Sequence, residues 1–187
     1  MKGQGETTVT AGEQPPPGSI VGKRVVLRRL EAEDRPRVRA ILEEPEVARW
    51  WAPRGPDVAL DGLFDAEEIV YAIEVDGRVV GAIEYAEENE PDFRHAGIDI
   101  FLDSTHQGQG LGGDAIRALA RYLFNTRGHH RLTIDPAVAN ERAIRAYERV
   151  GFRRVGIMRG YERDANGGWH DGLLMDLLKG ELTAATE

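Results

Sequence analysis

A glycine-rich run between a predicted strand and a predicted helix constrains the fold more than any other feature of the sequence. The run reads Gln107-Gly108-Gln109-Gly110-Leu111-Gly112-Gly113 and follows the apolar segment at residues 96–102. Beyond it, apolar side chains recur with helical spacing over residues 110–126. Glycines let a backbone approach a ligand closely, and the unpaired N–H groups of a helix start attract phosphate oxygens. The run therefore predicts an anion-binding turn in a fold that combines strands and helices.

The other elements follow from apolar periodicity and turn signals, and their predicted order is β-α-(α)-β-β-β-α-β-α-β-β. Asp34 and Asn140 are suitable helix N-caps, and Asp76-Gly77 and Asn166-Gly167 are suitable hairpin turns. This order predicts a mixed sheet with two late strand–helix units. The predicted strands are residues 25–30, 69–75, 79–85, 96–102, 131–135, 152–161 and 169–177.

Three segments are predicted to lie outside these elements. Residues 1–19 are rich in Gly, Thr, Glu and Pro, which predicts a flexible leader ahead of a single domain at residues 20–187. Residues 53–65 are punctuated by Pro and Gly, which predicts a loop that covers a site. For residues 179–187 the sequence predicts a last helical turn that frays. A length of 187 residues suits one domain with one sizeable core.

Composition excludes several classes of function. The chain has 24 basic and 32 acidic residues, and its net charge of −8 disfavours nucleic acid and favours cationic partners. Without cysteine there is no disulfide, thiolate nucleophile or cysteine-bound metal. The five histidines lack metalloprotease spacing, so no metal site is predicted. No apolar run is long enough for a membrane span or a signal peptide, which predicts a cytoplasmic protein without a membrane partner.

Three kinds of phosphate ligand are compatible with a glycine-rich turn, and the flanking residues separate them. A nucleoside triphosphate site needs Gly-Lys-Ser/Thr, whereas Asp114-Ala115-Ile116 follows here. A dinucleotide fingerprint is met numerically by three glycines and Asp135, but residues 103–106 separate the strand from the glycines. The coenzyme A pattern Q/R-x-x-G-x-G/A is met by Gln107, Gly110 and Gly112.

With this motif the sequence resembles the GNAT superfamily of acetyl-CoA-dependent N-acetyltransferases. A second hallmark of that superfamily, N-x-x-A-I-x-x-Y-x-x-x-G-F, begins at Asn140 and includes Tyr147, Gly151 and Phe152. The likeness covers roughly residues 24–178. It implies an α/β (α+β) GNAT fold, with a mixed, mostly antiparallel sheet and helices on both faces. It also implies a V-shaped split between the fourth and fifth predicted strands, and acetyl-CoA (coenzyme A) as cofactor.

The resemblance assigns roles to residues on both sides of that split. Asn140 would contact the pantetheine arm, and Tyr147 would protonate the leaving thiolate. Backbone N–H groups at Ile100, Phe101 and Leu102 would hold the thioester carbonyl. The full set implied to contact the cofactor is Ile100, Phe101, Leu102, Gln107, Gly108, Gln109, Gly110, Leu111, Gly112, Gly113, Asn140, Ala143 and Tyr147.

A carboxylate near the acetyl group must accept a proton from the acceptor ammonium. Asp99 is the first candidate, because it lies in an apolar strand directly before the carbonyl-binding segment, where its burial would need compensation. A buried structural carboxylate is the alternative interpretation of Asp99. Glu84, on the neighbouring predicted strand, is the second candidate base. Asp135, at the end of its strand, would open into the same cleft and hold a substrate amine.

Within the superfamily, Arg49-Trp50-Trp51, Gly97-Ile98-Asp99 and Thr133-Ile134-Asp135-Pro136 look most like the aminoglycoside 6'-N-acetyltransferases. That resemblance implies a polyamine-like small-molecule acceptor bound by Trp50, Trp51, Glu84, Asp99 and Asp135. Acids at 84, 87, 88, 90 and 92 crowd one loop, which is either part of the site or simply solvated.

Two other functions remain open. One is acyl transfer to a siderophore lysine or hydroxylysine, or to a protein N-terminus, and the other is a non-catalytic coenzyme A sensor. The chain is expected to be a monomer or a homodimer.

Overall fold

The computed structural model describes residues 16–65, 69–164 and 167–184, and their strands form one eight-stranded mixed sheet. The strand order across the sheet is β1-β2-β3-β4-β5-β6-β8-β7. The strands are β1 (Ser19–Val21), β2 (Val26–Arg29), β3 (Ile69–Val75), β4 (Arg78–Glu88), β5 (His95–Leu102), β6 (Arg131–Ile134), β7 (Arg153–Arg163) and β8 (Trp169–Leu178). Neighbouring strands pair antiparallel, apart from the parallel pair β5 and β6.

Five α-helices cover the two faces of this sheet. They are α1 (Arg35–Leu42), α2 (Pro45–Trp51), α3 (Pro56–Asp65), α4 (Leu111–Asn125) and α5 (Glu141–Val150), and short 3-10 turns precede α1 and follow β5. Along β3, Val70 and Ala72 pack with α1 to α3, whereas Tyr71 and Ile73 pack with α4. This alternation creates two apolar cores, because successive strand side chains point to opposite faces. The predicted mixed sheet with helices on both faces is confirmed.

The predicted split lies between β5 and β6. Two residue pairs join these strands, Ala96 with Leu132 and Gly97 with Thr133. Beyond Gly97, β5 continues to Leu102 without a β6 partner in the described chain, so the two strands separate. The V-shaped opening is therefore confirmed, and α4 follows β5 whereas α5 follows β6.

The structure differs from the sequence prediction at three places. Residues 56–65, predicted as part of a loop, form α3, in which Leu60 and Leu63 are buried and Pro56 occupies the first turn, where proline is tolerated. The predicted C-terminal helical turn is absent from residues 179–184, whose backbone bonds instead to His130 and Val150. Strand β1 was missed, because its three residues carry too short a pattern.

The N-terminal boundary and the last hairpin turn are only partly described. Residues 17–19 of the predicted leader contact the sheet, since the Tyr71 hydroxyl donates to the carbonyl of Pro17 at 3.0 Å. Residues 1–15 and 185–187 lie outside the described residues, and so does Asn166 of the predicted Asn166-Gly167 turn. Strands β7 and β8 nevertheless pair as that hairpin predicts. Among the described helices, none has the length and apolarity needed to cross a bilayer.

Candidate active site

A cleft of about 1290 Å³ follows the split between β5 and β6 and reaches from the glycine-rich run to α2 and β7. The cleft is lined by every residue predicted to bind cofactor or acceptor except Leu111. The side chain of Leu111 is 1% exposed and belongs to the core under α4, so only the backbone of Leu111 is placed to contact the cofactor, and that contact stays a prediction. We call the end near the glycines the cofactor half and the end near Trp50 and Asp99 the acceptor half.

The glycine-rich turn exposes backbone N–H groups to the cofactor half. Gly108 and Gly110 have φ angles of +77° and +81°, a left-handed conformation that favours glycine. Gly110 is the N-cap of α4 and has no side chain to cap the first N–H groups of the helix, and Gly110, Gly112 and Gly113 line the cleft. A methyl group on Gly112 would lie 3.5 Å from Leu102, which shows how closely the helix approaches β5. These donors fit a pyrophosphate.

Side chains around the turn fix its shape. The amide of Gln107 donates to the carbonyl of Leu102 at 2.7 Å, and the amide of Gln109 donates to the carbonyl of Thr105 at 2.7 Å. Gln107, predicted to contact the cofactor, thus also ties the turn to the end of β5. The preceding 3-10 turn is capped by Asp103, which accepts from the backbone N–H of His106 at 2.9 Å.

Asp103 was not singled out from the sequence, although it is only 1% exposed. Burial alone would raise the pKa of Asp103, but hydrogen bonds from His106 and Thr105 hold it below its usual range. Its other carboxylate oxygen lies 2.5 Å from the guanidinium of Arg37 on α1. The turn is therefore anchored to a buried, ionised carboxylate.

Helix α5 contributes Asn140 and Tyr147 to the opposite wall. Asn140 caps the helix, because its side-chain oxygen accepts from the N–H of Ala143 at 3.2 Å, and the same residue lines the cleft. Tyr147 is half-buried two turns along. Burial raises the pKa of Tyr147, and the nearby Asp99 and Asp135 raise it further. Its hydroxyl therefore keeps its proton at neutral pH, as a general acid must.

The backbone of β5 presents alternate residues to the split. The carbonyl of Ile100 accepts from the indole N–H of Trp51 at 3.1 Å, and the carbonyl of Leu102 accepts from Gln107. The N–H of each residue points to the same side of a strand as its carbonyl, so Ile100 and Leu102 also turn their N–H groups toward the split.

Phe101 faces the other way, because a Cβ on Gly81 of β4 would collide with the Phe101 carbonyl. The Phe101 carbonyl thus points toward β4, although Phe101 lines the cleft, and its part in holding the thioester carbonyl stays a prediction. Its ring packs against Trp51 at a centroid distance of 4.8 Å and belongs to the core below α1 to α3.

Carboxylates from three adjacent strands meet in the acceptor half. Glu84 of β4 and Asp99 of β5 are directly opposite in the register, and Asp135 follows β6. Asp99 is exposed to the cleft, so the expectation that it is buried, either as a compensated base or as a structural carboxylate, is wrong. Trp50 lies beside them, with the guanidinium of Arg49 stacked 4.3 Å from its ring.

Strand β7 brings two further residues to this half that sequence reasoning missed. A hydrogen bond to Asp135 raises the pKa of Tyr161 to about 12. Burial raises the pKa of Glu162, although His170, at 3.6 Å, and Arg54 oppose the shift. No local motif marks either residue. Both lie on β7, and β7 is placed beside the cleft by its pairing with β8.

The acidic loop after β4 is not part of the acceptor half. Glu87 points to the α4 face and forms a buried pair with Arg127 at 2.6 Å and with His129 at 2.6 Å. Among the five acids predicted to crowd the loop, Glu84 is the one found lining the cleft within the described chain. Glu88, Glu90 and Asp92 are exposed, as the solvated-loop interpretation predicts.

Comparison with known proteins gives one family. A model described as an acetyltransferase (GNAT) domain matches residues 24–153. Over 158 residues, 72% of this chain and 76% of the relative, the chain is 30% identical to aminoglycoside N(6')-acetyltransferase type 1 of Klebsiella pneumoniae. Over 167 residues, 86% of this chain and 89% of the relative, it is 29% identical to spermidine N(1)-acetyltransferase of Escherichia coli K12.

Among solved structures, AAC(6')-Ib in complex with paromomycin and acetyl-CoA is 25% identical, with a TM-score of 0.69. That superposition covers 84% of this chain and 94% of the AAC(6')-Ib chain.

Proposed function

This chain belongs to the GNAT acetyltransferase family and uses acetyl-CoA, and on that premise we propose that it acetylates the 6'-amino group of aminoglycosides. The observation that carries the proposal is the meeting of Glu84, Asp99 and Asp135 beside Trp50 in one half of the cleft. Several carboxylates attract an acceptor with several ammonium groups, and an indole face packs against a sugar ring. Aminoglycosides combine both features.

Asp99 is assigned the role of base. An alkylammonium is mostly protonated at neutral pH, so it must lose a proton before its nitrogen attacks a carbonyl carbon. Asp99 is exposed to the cleft, adjoins Ile100 and lies across from Glu84.

Ile100 and Tyr147 complete the assignment. Acetyl-CoA supplies the acetyl group as a thioester, so transfer forms a nitrogen–carbon bond and breaks a carbon–sulfur bond. The N–H of Ile100 donates to the carbonyl oxygen, on which negative charge develops during attack. The nitrogen loses two protons in all: the first passes from the ammonium to Asp99 before attack. Tyr147 gives its proton to the departing thiolate, and the second proton, which the nitrogen loses as the amide forms, restores the Tyr147 hydroxyl. The products are an amide and a neutral thiol.

Acetylation of a linear polyamine is a second candidate, favoured by the 29% identity to spermidine N(1)-acetyltransferase over 86% of this chain. The same carboxylates attract such a substrate. A linear polyamine has no ring to pack on Trp50, and this difference separates the two candidates.

The proposal is tested by free-thiol release with acetyl-CoA and a panel of amines. The panel contains kanamycin, tobramycin, a 6'-hydroxyl aminoglycoside, spermidine, a lysine-containing siderophore precursor and a basic peptide. We expect turnover of the aminoglycosides that carry a 6'-amine and none of the 6'-hydroxyl analogue. Trp50→Ala should raise KM for the aminoglycosides while the affinity for acetyl-CoA is unchanged.

Each other outcome has a definite meaning. Turnover of spermidine alone, insensitive to Trp50→Ala, would replace the aminoglycoside with a linear polyamine. Turnover of only the siderophore precursor or the peptide would make the chain a modifier of those acceptors. A rise in melting temperature with acetyl-CoA, without turnover of any amine, would support a sensor.

A further inference from the structure

Two arginines from distant parts of the chain bracket the glycine-rich turn. The guanidinium of Arg24, between β1 and β2, donates to the carbonyl of Gln109 at 2.7 Å. On the other side, a methyl group on Gly108 would lie 3.9 Å from Nη2 of Arg142 on α5. Both side chains are exposed, and both line the cofactor half of the cleft. The guanidinium groups of Arg24 and Arg142 therefore lie next to two neighbouring residues of the turn, Gln109 and Gly108.

Asp114 holds Arg24 in this position. Its carboxylate, in the first turn of α4, accepts from the backbone N–H groups of Lys23 at 3.0 Å, Arg24 at 2.7 Å and Val25 at 3.2 Å. Asp114 is 5% exposed, and hydrogen bonds between a carboxylate and backbone N–H groups are strong. The turn that carries Arg24 is thus fixed to the helix that begins at the glycines.

No carboxylate of the described chain neutralises the charges of these two arginines. Across the described ranges, neither Arg24 nor Arg142 takes part in a salt bridge. Arg117 instead donates to the carbonyls of Thr183 and Arg149, and the guanidinium of Arg49 lies on Trp50. A guanidinium without a carboxylate partner, at the rim of an anion site, matches the fork geometry that binds phosphate.

The backbone N–H groups of the turn suit only part of the phosphate groups of the cofactor. Coenzyme A carries a pyrophosphate and a separate phosphomonoester at the ribose 3'-position. The N–H groups of the turn and of α4 suit the pyrophosphate, whereas a phosphomonoester with nearly two negative charges requires cations of its own. We propose that Arg24 and Arg142 form a subsite for this 3'-phosphate.

The subsite also places positive charge in a cleft that is otherwise rich in carboxylates. The chain has a net charge of −8, and the acceptor half gathers Glu84, Asp99, Asp135 and Glu162. An anionic cofactor must enter the same cleft, so cations are needed at the end far from the carboxylates. Arg24 and Arg142 supply them, and the two halves attract ligands of opposite charge.

The test compares coenzyme A with dephospho-coenzyme A, which lacks the 3'-phosphate, by calorimetric titration of the full chain. Arg142→Ala and Arg24→Ala are each expected to lower the affinity for coenzyme A by about tenfold, because each removes one charge-assisted contact. Neither variant should change the affinity for dephospho-coenzyme A by more than about twofold, since that ligand lacks the group the arginines bind.

Arg145→Ala is the matched control, because Arg145 lies on the same helix and pairs with Glu141 at 2.8 Å. It should leave both affinities unchanged. Arg24→Lys retains the charge and should recover part of the loss seen with Arg24→Ala, which excludes a merely loosened turn. Equal losses for both ligands would overturn the proposal and assign the arginines to the pyrophosphate. Unchanged affinity for coenzyme A in Arg142→Ala and Arg24→Ala would overturn it as well.

Discussion

The cofactor half of the cleft is made largely of backbone from one stretch of chain, whereas the acceptor half is made of side chains from separate elements. In the first, β5, the glycine-rich turn and the start of α4 follow one another over residues 100–113. In the second, α2 supplies Trp50, and carboxylates come from β4, β5, β6 and β7. The first half is fixed by local conformation and the second by sheet register.

This difference has consequences for what each half can change. A backbone turn keeps its N–H groups whatever side chains surround it, so it suits a ligand that never varies. Side chains brought together by register are replaced one at a time without altering the sheet. The relatives of this chain include proteins named aminoglycoside N(6')-acetyltransferase and spermidine N(1)-acetyltransferase, and these names give two different acceptors.

The sharpest test of the comparison separates rate from cofactor affinity. We expect Asp99→Asn and Tyr147→Phe each to lower kcat by about 10² to 10⁴, because each removes one proton-transfer step. The dissociation constant for acetyl-CoA should stay within about twofold, since the backbone of the cofactor half is untouched. Steady-state kinetics and calorimetric titration measure the two quantities. The control is Asp92→Asn, an exposed acid in the loop between β4 and β5.

The result also distinguishes the two candidate bases. A larger loss of kcat in Glu84→Gln than in Asp99→Asn would transfer the role of base to Glu84. A loss of acetyl-CoA affinity that matches the loss of kcat would show that the two halves are not separable.

A smaller effect is expected where backbone conformation is tested directly. Gly110→Ala and Gly77→Ala each place a Cβ on a left-handed residue, with φ +81° and +72°, and apart from the adjoining residues no atom of the described chain lies within 4 Å of either Cβ. Each should lower the free energy of unfolding by about 1 kcal/mol from strain. Gly110→Ala alone should also lower the affinity for acetyl-CoA by about tenfold, because the new Cβ occupies the space where phosphate oxygens approach.

Gly77 lies in the β3–β4 turn, away from the cleft, and therefore isolates strain from ligand contact. Chemical denaturation gives the stability, and titration gives the affinity. Equal acetyl-CoA affinities in the two variants would contradict the assignment of phosphate binding to this turn.

The smallest effect concerns Glu162 in the acceptor half. Burial raises the pKa of Glu162, so the folded protein binds its proton more tightly than the unfolded chain does. The contribution of Glu162 to stability therefore falls as pH rises from the unfolded to the folded pKa, and above both values it remains a constant cost. Glu162→Gln should raise the melting temperature at neutral pH.

Below both pKa values, near roughly pH 3, Glu162→Gln should leave the melting temperature unchanged, because the carboxyl is neutral in both states. The gain at neutral pH should be less than about 1 kcal/mol, since the side chain is 46% exposed and solvent screens it. Glu88→Gln, an exposed acid at the end of β4, is the control. A lower melting temperature of Glu162→Gln at neutral pH would show that the attraction of Glu162 to His170 and Arg54 outweighs the cost of its burial.

How much of this molecule is predictable from its sequence depends on the range of the interactions involved. The glycine turn and the Asn140 cap are determined by neighbours within a few residues, so local motifs locate them. Tyr161 and Glu162 enter the cleft through the pairing of β7 with β8, and no short pattern encodes that pairing.

Two wrong predictions have equally specific causes. Helix α3 was predicted as a loop because Pro56 and Gly62 punctuate it, and tertiary burial of Leu60 and Leu63 overrides that local preference. Glu87 was grouped with Glu84 by closeness in sequence, although three positions along a strand place two side chains on opposite faces. Strict use of the two-residue period separates these two acids.

Asp114 joins the N-terminal turn to the start of α4 across 89 to 91 residues of chain. Contacts between positions so far apart form only after the intervening chain has closed into a loop, which costs conformational entropy and slows folding. Lys23, Arg24 and Val25 are synthesised early, yet they dock only once α4 has emerged. The ability to bind acetyl-CoA is therefore expected to arise late in folding, in the same step that completes the first edge of the sheet.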